Sequence, residues 1–254
     1  MHLYRHPRNA YWWSFEPKDV EDGDVVFVKT DFLDFFVANM LPYIRTSFTL
    51  ITGHSDITPN TACTETILDN VNVCRWMAMH MSIHHPKLTH IPIGLAEPDS
   101  PIGDQRIVQE CMTKHVDKRP GVFVPPMGAS HPVRSRIDAL DHPMLIRSST
   151  THLPFCEYLK KVAEYTYVLC PVGNGLDIHR VYEALLMKTV PIYVANEGIV
   201  PGMYIHLPVI VVDTVDDVSR VLDSLRTAPR PSIDWEHVQK YCMVDLYGSL
   251  ATRR

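Results

Sequence analysis

Short runs of apolar residues, many of them β-branched, alternate with helix-like segments along most of the chain. The runs with the composition of buried strands are 24–29, 47–52, 88–93, 121–125, 144–147, 167–170, 190–194 and 209–212. Apolar residues at helical spacing predict helices over 30–44, 73–81, 133–140, 155–164, 178–187, 216–225 and 234–250. Because strands that alternate with helices form parallel sheets with helices on their faces, the sequence predicts an α/β fold.

The alternation is interrupted between residues 97 and 120, where proline, glycine and charged residues are frequent. We therefore expect two Rossmann-like lobes, 1–117 and 118–254, each of ordinary domain size and separated by a cleft. One placement left open is that the last helix packs back on the N-terminal lobe.

Charge and cysteine content limit the kinds of partner that the chain is expected to have. The net charge of -5 gives no broad basic face for nucleic acid. No apolar run reaches the roughly 20 residues that cross a bilayer, and the first residues lack the pattern of a signal peptide. The six cysteines include no CxxC pair, which favours free thiols in a reducing compartment. These features predict a cytoplasmic protein with no membrane span and no nucleic-acid partner.

The stretch 167–196 holds the most chemical information, because a strand leads through a glycine-rich loop into a helix. Ligands of open α/β sheets lie beyond the carboxyl ends of strands, and a helix start suits a phosphate. Gly173 and Gly175 allow close approach of a ligand. Arg180 and Glu183 share one face of the helix, where a guanidinium fits phosphate oxygens and a carboxylate fits ribose hydroxyls. A surface ion pair beside a simple turn explains the same residues equally well.

The run Gly-Asn-Gly-Leu-Asp-Ile-His-Arg at 173–180, followed by Tyr-Glu-Ala-Leu and then Val-Pro-Ile, resembles the donor-site signature of exostosin-like glycosyltransferases. Related patterns occur in other GT-B enzymes, including α1,3-fucosyltransferase-like ones, and large DNA viruses also encode exostosin-like members. A looser similarity covers the Lys-Thr-Asp and Ile-Thr-Gly-His-Ser-Asp strand ends, a predicted helix around Trp76, and His-Pro-Lys-Leu before Ile-Pro-Ile-Gly. The resemblance implies a GT-B enzyme, located in the host cytoplasm if the source is viral.

The resemblance also implies roles for single residues. Glu183 would bind the donor ribose, and Arg180 would bind the diphosphate. The remaining donor-site residues implied by the resemblance are Gly173, Asn174, Gly175, Asp177 and His179, with Ser130 and Arg134 as further phosphate contacts. Ordinary solvated charge on a helix explains Arg134 and Arg136 equally well. Lys188-Thr189 stands where the group usually has a small residue before Val-Pro-Ile.

The implied reaction moves a sugar from a nucleotide-sugar donor to a glycan hydroxyl, with inversion and without a metal or cofactor. A UDP-sugar is the favoured donor, with UDP-xylose one candidate, and GDP-fucose is the alternative. The acceptor hydroxyl needs a base within hydrogen-bond reach. Strand ends of the first lobe offer Asp56 first, then His54, then Asp31, although turn and helix-start roles account for the two aspartates as well.

Two other classes of function remain open at the level of sequence. A protein could use the same cleft to bind a nucleotide or a glycan without chemistry. A metal-dependent hydrolase could use His80, His84 and His85, since His80 and His84 stand four apart on a predicted helix. No HExxH pattern is present, so a solvated or core-edge histidine set is favoured over a metal site.

Overall fold

The computed structural model describes residues 15–98, 100–240 and 242. The chain divides into two compact units, Met1–Ile91 and Pro92–Arg254. This boundary lies before the predicted division at 117/118. Each unit holds its own sheet, and both sheets are entirely parallel among the described strands. The molecule is therefore an α/β protein with two Rossmann-like halves.

The first unit contains a four-stranded sheet in the order β1-β2-β3-β4. Its strands are β1 (Asp24–Lys29), β2 (Phe48–Gly53), β3 (Val73–Ala78) and β4 (Leu88–His90). Its α-helices are α1 (Leu33–Asn39) and α2 (Thr61–Asp69), and short 3-10 turns cover Pro17–Asp19, Thr30–Phe32 and Leu41–Tyr43. The single helix expected over 30–44 is thus divided into three pieces. Pro42 explains one break, because a proline disfavours helical geometry in the residue before it.

The helix predicted over 73–81 is wrong, since most of this segment is β3. β3 pairs with β2 on one side and β4 on the other, and Val73, Trp76 and Ala78 are fully buried. A short apolar run of this kind fits a buried strand as well as a helix by periodicity alone. The helix of this region is α2 instead, where the Asn60 side chain accepts a hydrogen bond from the backbone N–H of Cys63 at 2.8 Å.

The second unit contains a five-stranded sheet in the order β6-β5-β7-β8-β9. Its strands are β5 (Arg119–Val124), β6 (Leu145–Arg147), β7 (Tyr165–Pro171), β8 (Val190–Val194) and β9 (Ile210–Val212). Its α-helices are α3 (Gln105–Met112), α4 (Pro132–Asp138), α5 (Phe155–Glu164), α6 (His179–Leu186), α7 (Val218–Thr227) and α8 (Trp235–Lys240), with 3-10 turns at Gly202–His206 and Val215–Asp217. Most of the predicted last helix, up to 250, lies outside the described residues.

The helix α3 explains why the boundary falls earlier than the sequence predicts. It begins at an Asp104 cap inside the segment that was expected to be a linker. Val108 and Cys111 are buried and belong to the same core as α5 and β7, so α3 packs as part of the second unit. Proline and charge around a short amphipathic helix gave the segment its linker-like composition.

The central strand of the second unit is β7, of which every residue is buried. The chain leaves β5 for β6 on one side and returns to β7 on the other. The carboxyl ends of β5 and β7 therefore meet at a topological switch point, where ligands of open α/β sheets bind. None of the described helices is long and apolar enough to cross a membrane.

Candidate anion-binding site

The loop between β7 and α6 is the framework of the candidate site. Residues 172–178 form this loop, and most of its side chains are buried. The Tyr193 hydroxyl, from β8, donates to the Leu176 carbonyl at 2.7 Å and fixes the middle of the loop. The sequence predicts this strand-loop-helix corner, and the structure places it at the switch point of the sheet.

Asp177 holds the corner together from inside. It is 1% exposed, and each of its two oxygens accepts two hydrogen bonds. The donors are the backbone N–H groups of Ile93 and Ile178 and the hydroxyls of Tyr182 and Tyr204, at 2.6–2.9 Å. Four bonds fill the acceptor sites of a carboxylate. Asp177 therefore positions the loop, and its carboxylate has no acceptor site left for a ligand.

His179 opens α6 and is fixed through one ring nitrogen. Its Nδ1 donates to the Gly94 carbonyl at 2.8 Å, since a carbonyl only accepts. That bond selects the tautomer and leaves Nε2 as the nitrogen that can meet a ligand. The helix start itself carries no side-chain cap, because the N-cap residue is the apolar Ile178. The first N–H groups of α6 therefore donate no hydrogen bond to the N-cap side chain, although the Asp177 carboxylate, which accepts from the Ile178 N–H, lies beside them.

Arg134 crosses from α4 to the glycine loop. Its Nε donates to the Val172 carbonyl at 3.1 Å, and a Cβ at Gly173 would overlap its guanidinium group. Glycine at 173 thus leaves room for the arginine to lie against the loop backbone. Burial, followed by the nearby Arg180 charge, lowers the pKa of Arg134, yet an arginine keeps its proton at neutral pH. No carboxylate in the described part of the chain forms an ion pair with Arg134 within 4.0 Å.

Arg180 is the least satisfied polar side chain of the corner. Its Nη2 donates to the Pro126 carbonyl at 3.3 Å, in the loop after β5. Its Nε and Nη1 are buried and have no hydrogen-bond partner among the residues that the structure describes. Burial acts to lower the pKa of Arg180, but Tyr158, Cys170 and Glu183 outweigh it and hold the pKa above its ordinary value. A permanently charged fork thus lies at the switch point with two unused donors.

Glu183 lies one turn further along α6 and is 4% exposed. Its Oε2 accepts a hydrogen bond from the Tyr158 hydroxyl at 2.8 Å. Burial raises the pKa of Glu183, although Tyr158, Arg180 and His179 each act to lower it. The carboxylate makes no ion pair with Arg180 within 4.0 Å, so the simple surface pair considered from the sequence does not form. Its contact with a ribose stays a prediction.

The remaining predicted donor residues differ in exposure. Asn174 and Ser130 are exposed on the loops after β7 and β5, and Gly175 is buried. Both loops leave the carboxyl edge of the same sheet, so the predicted donor residues lie on two neighbouring strand ends and on the helices that follow them. A cavity of about 410 Å³ in the second unit is lined by residues that include Gly121, Tyr167 and Arg230. None of the predicted donor residues lines this cavity.

The base candidates lie at the carboxyl edge of the first unit's sheet. Lys29 and Gly53 are partners in the register of β1 and β2, so Asp31 and His54 follow neighbouring strand ends. Burial acts to raise the pKa of Asp31, but a hydrogen bond with Ser55 and the Lys29 ion pair, at 3.2 Å, outweigh it and lower the pKa. A lowered pKa makes Asp31 a weaker base. Asp56 is exposed on the same loop as His54.

The histidines do not have the arrangement that the sequence suggested. His80 and His84 lie after β3 rather than on a helix, so their spacing of four does not place them on one helix face. His80 has a backbone φ of 57°, in the left-handed region. His84 stacks on His90 with ring centroids 5.2 Å apart. In the described segments of the chain, no group of three histidine, cysteine or acidic side chains could hold a metal ion.

Sequence reasoning missed the residues that orient the site from a distance. Tyr158 is 25 residues before Glu183 and sits in an ordinary amphipathic helix, so no local pattern marks it. Tyr204 and the Ile93 backbone reach Asp177 in the same way. No protein-family model matches the chain, and no curated protein is similar enough to count as a relative.

Proposed function

We propose that this chain is a GT-B glycosyltransferase that takes a sugar from a nucleoside-diphosphate donor and transfers it to a glycan hydroxyl. The observation that carries the proposal is Arg180, with two buried donor nitrogens that have no partner in the described residues. An unsatisfied buried cation is costly, and a phosphate oxygen is a strong acceptor for it. Arg134, which has no ion pair with any residue that the structure describes, supplies a second guanidinium at the same edge of the sheet.

In the proposed reaction, the bond between the sugar C1 and the diphosphate oxygen breaks while the acceptor oxygen bonds to C1 from the opposite face. Negative charge then grows on the departing diphosphate. Arg134, Arg180 and the uncapped start of α6 would stabilise that charge without a metal. The acceptor proton passes to a base, for which Asp56 is the first candidate and His54 the second. Asp31 is third because its pKa is lowered.

The favoured donor is a UDP-sugar, with UDP-xylose among the candidates and GDP-fucose as the alternative. The proposed compartment is the cytoplasm. A protein that binds the nucleotide or the glycan without turnover would use the same anion site, so the two functions differ in turnover and not in binding.

Thermal unfolding with UDP, GDP, pyrophosphate and their sugar conjugates tests the anion site. A ligand at one hundred times its Kd stabilises by about 2.7 kcal/mol, which raises the Tm of a chain of this size by about 5–10 °C. Release of the free nucleoside diphosphate, with a panel of glycans and with EDTA present, then tests transfer. Saturable binding without release on any acceptor would support a binding protein. No shift with any diphosphate would refute the proposal.

A further inference from the structure

Tyr158 and Glu183 form a buried hydrogen bond close to the Arg180 side chain, whose charge interacts with both groups. The two side chains come from α5 and α6, and their residues are 9% and 4% exposed. Burial raises the pKa of Tyr158 well above its ordinary value, so at neutral pH the phenol keeps its proton and donates it to the carboxylate.

The position of Glu183 is unexpected for a buried acid beside an arginine. Residues three apart on a helix are neighbours, so the Glu183 carboxylate could close an ion pair with Arg180 by a change of rotamer. Instead, Oε2 is bound to the Tyr158 hydroxyl at 2.8 Å, and no nitrogen of Arg180 lies within 4.0 Å of the carboxylate. The arginine keeps Nε and Nη1 unpaired within the described residues as a result.

We propose that Tyr158 is a positioning residue, whose hydroxyl holds the Glu183 carboxylate away from Arg180 and so keeps two guanidinium nitrogens available for a phosphate. The inference rests on the proposed function, because it assigns Arg180 to the diphosphate. In this arrangement Glu183 stabilises the arginine's charge through space, and a contact with the ligand's ribose is not required. When the tyrosine hydroxyl is absent, the freed carboxylate pairs with Arg180 and competes with the ligand.

Calorimetry with pyrophosphate and with UDP, at mildly alkaline pH so that the carboxylate is ionised, tests the inference. Tyr158→Phe should weaken binding of both ligands on the order of tenfold, the share of one charged hydrogen bond. The double variant Tyr158→Phe with Glu183→Gln should recover at least the affinity of the unchanged protein, because no carboxylate is left to pair with Arg180. Tyr167→Phe, at another buried tyrosine, on β7 and away from the predicted donor residues, is the matched control and should bind both ligands normally.

Each result points to one conclusion. If the unchanged protein binds neither pyrophosphate nor UDP, the proposed function fails and the inference fails with it. If it binds both and Tyr158→Phe binds them equally well, only the inference is overturned. Loss of binding that Glu183→Gln does not rescue would mean that Tyr158 acts through packing alone, which also overturns it. If Glu183→Gln alone weakens UDP but not pyrophosphate, the carboxylate contacts the ribose, contrary to the role assigned here.

Discussion

Replacing Arg180 by methionine tests directly whether its two buried nitrogens bind an anion. Methionine keeps the unbranched apolar stem of the side chain but removes the guanidinium group and with it every donor. A hydrogen bond to a charged group contributes about 1.5–3 kcal/mol, so two such bonds from Nε and Nη1 amount to about 3–6 kcal/mol. Since about 1.4 kcal/mol corresponds to a tenfold change in affinity, binding of a nucleoside diphosphate should weaken about 10²–10⁴-fold.

The same substitution should not weaken the fold. In the absence of ligand, Arg180 buries two donors that are unpaired within the described part of the chain, and each such group costs about 1–3 kcal/mol. Removing them offsets the electrostatic support that Glu183 loses, so the free energy of unfolding without ligand should stay unchanged or rise. Affinity for the ligand should therefore fall while the stability of the empty protein does not. Replacing a residue that only supports the fold would lower both.

Calorimetric titration with UDP measures the affinity, and urea unfolding without ligand measures the stability. Arg136→Met is the matched control, because it changes the net charge equally at a residue of α4. Arg136 lies exposed in an ion pair with Asp216 at 2.7 Å, so its loss should change stability by less than about 1 kcal/mol. The proposed role of Arg180 is refuted if Arg180→Met binds UDP within about threefold of the unchanged protein. Such a change is less than half the effect of one charged hydrogen bond.

Three further changes probe the surroundings of the site. Gly173→Ala should push the Arg134 guanidinium off the loop, because the new Cβ would overlap it. UDP binding should weaken about tenfold, the effect of losing one charged hydrogen bond, with little change in urea unfolding. Normal UDP affinity would show that the guanidinium adapts to the alanine. Asp177→Asn should cost about 1–3 kcal/mol in urea unfolding, because the amide nitrogen leaves at least one backbone N–H unpaired, while a tyrosine hydroxyl can turn to accept from it; an unchanged free energy of unfolding would contradict the structural role of Asp177. Burial lowers the pKa of Lys118 to about 7, whereas the pKa of a lysine in the unfolded chain is 10.5. Between these two values the unfolded chain binds more protons than the folded one, so the free energy of unfolding should rise with pH across that window. Lys118→Met should flatten that rise when urea unfolding is measured across the same pH range. An unchanged slope would mean that another group causes the pH dependence.

The sequence predicted the elements of the second unit better than those of the first. The decisive segment of the second unit is long, and its successive signals agree. The segment from β7 to β8 joins a fully buried strand, a glycine loop and a helix with a clear apolar face, and each signal agrees with the next. By contrast, 73–81 is short and apolar on most positions, so its period does not distinguish a strand from a helix. Only pairing with two neighbouring strands decides the matter, and pairing is not visible in a local window.

The sequence singled out the residues of the candidate site, and their roles toward a ligand stay predictions. The loop glycines and Arg180 follow from spacing, because they occupy one strand end and one helix start. The roles of Asp177 and Glu183 depend on partners that are distant in the chain. Asp177 meets the Tyr204 hydroxyl at 2.6 Å, and Glu183 meets that of Tyr158 at 2.8 Å. No spacing rule connects such pairs, so the sequence assigned to the ligand two carboxylates that first of all hold protein groups.

Asp177 and Arg180 are three residues apart, and the difference between them separates a structural charge from the charge that we propose binds the ligand. Both lie at the same corner, yet Asp177 accepts four hydrogen bonds while Arg180 leaves two buried nitrogens unpaired in the described chain. A buried charge whose hydrogen bonds are all made within the protein fixes the groups around it, and a ligand adds nothing to it. A buried charge with unused bonds lowers the stability of the empty protein, and a ligand that completes those bonds offsets that cost on binding. The unsatisfied member of the pair is therefore the stronger guide to function.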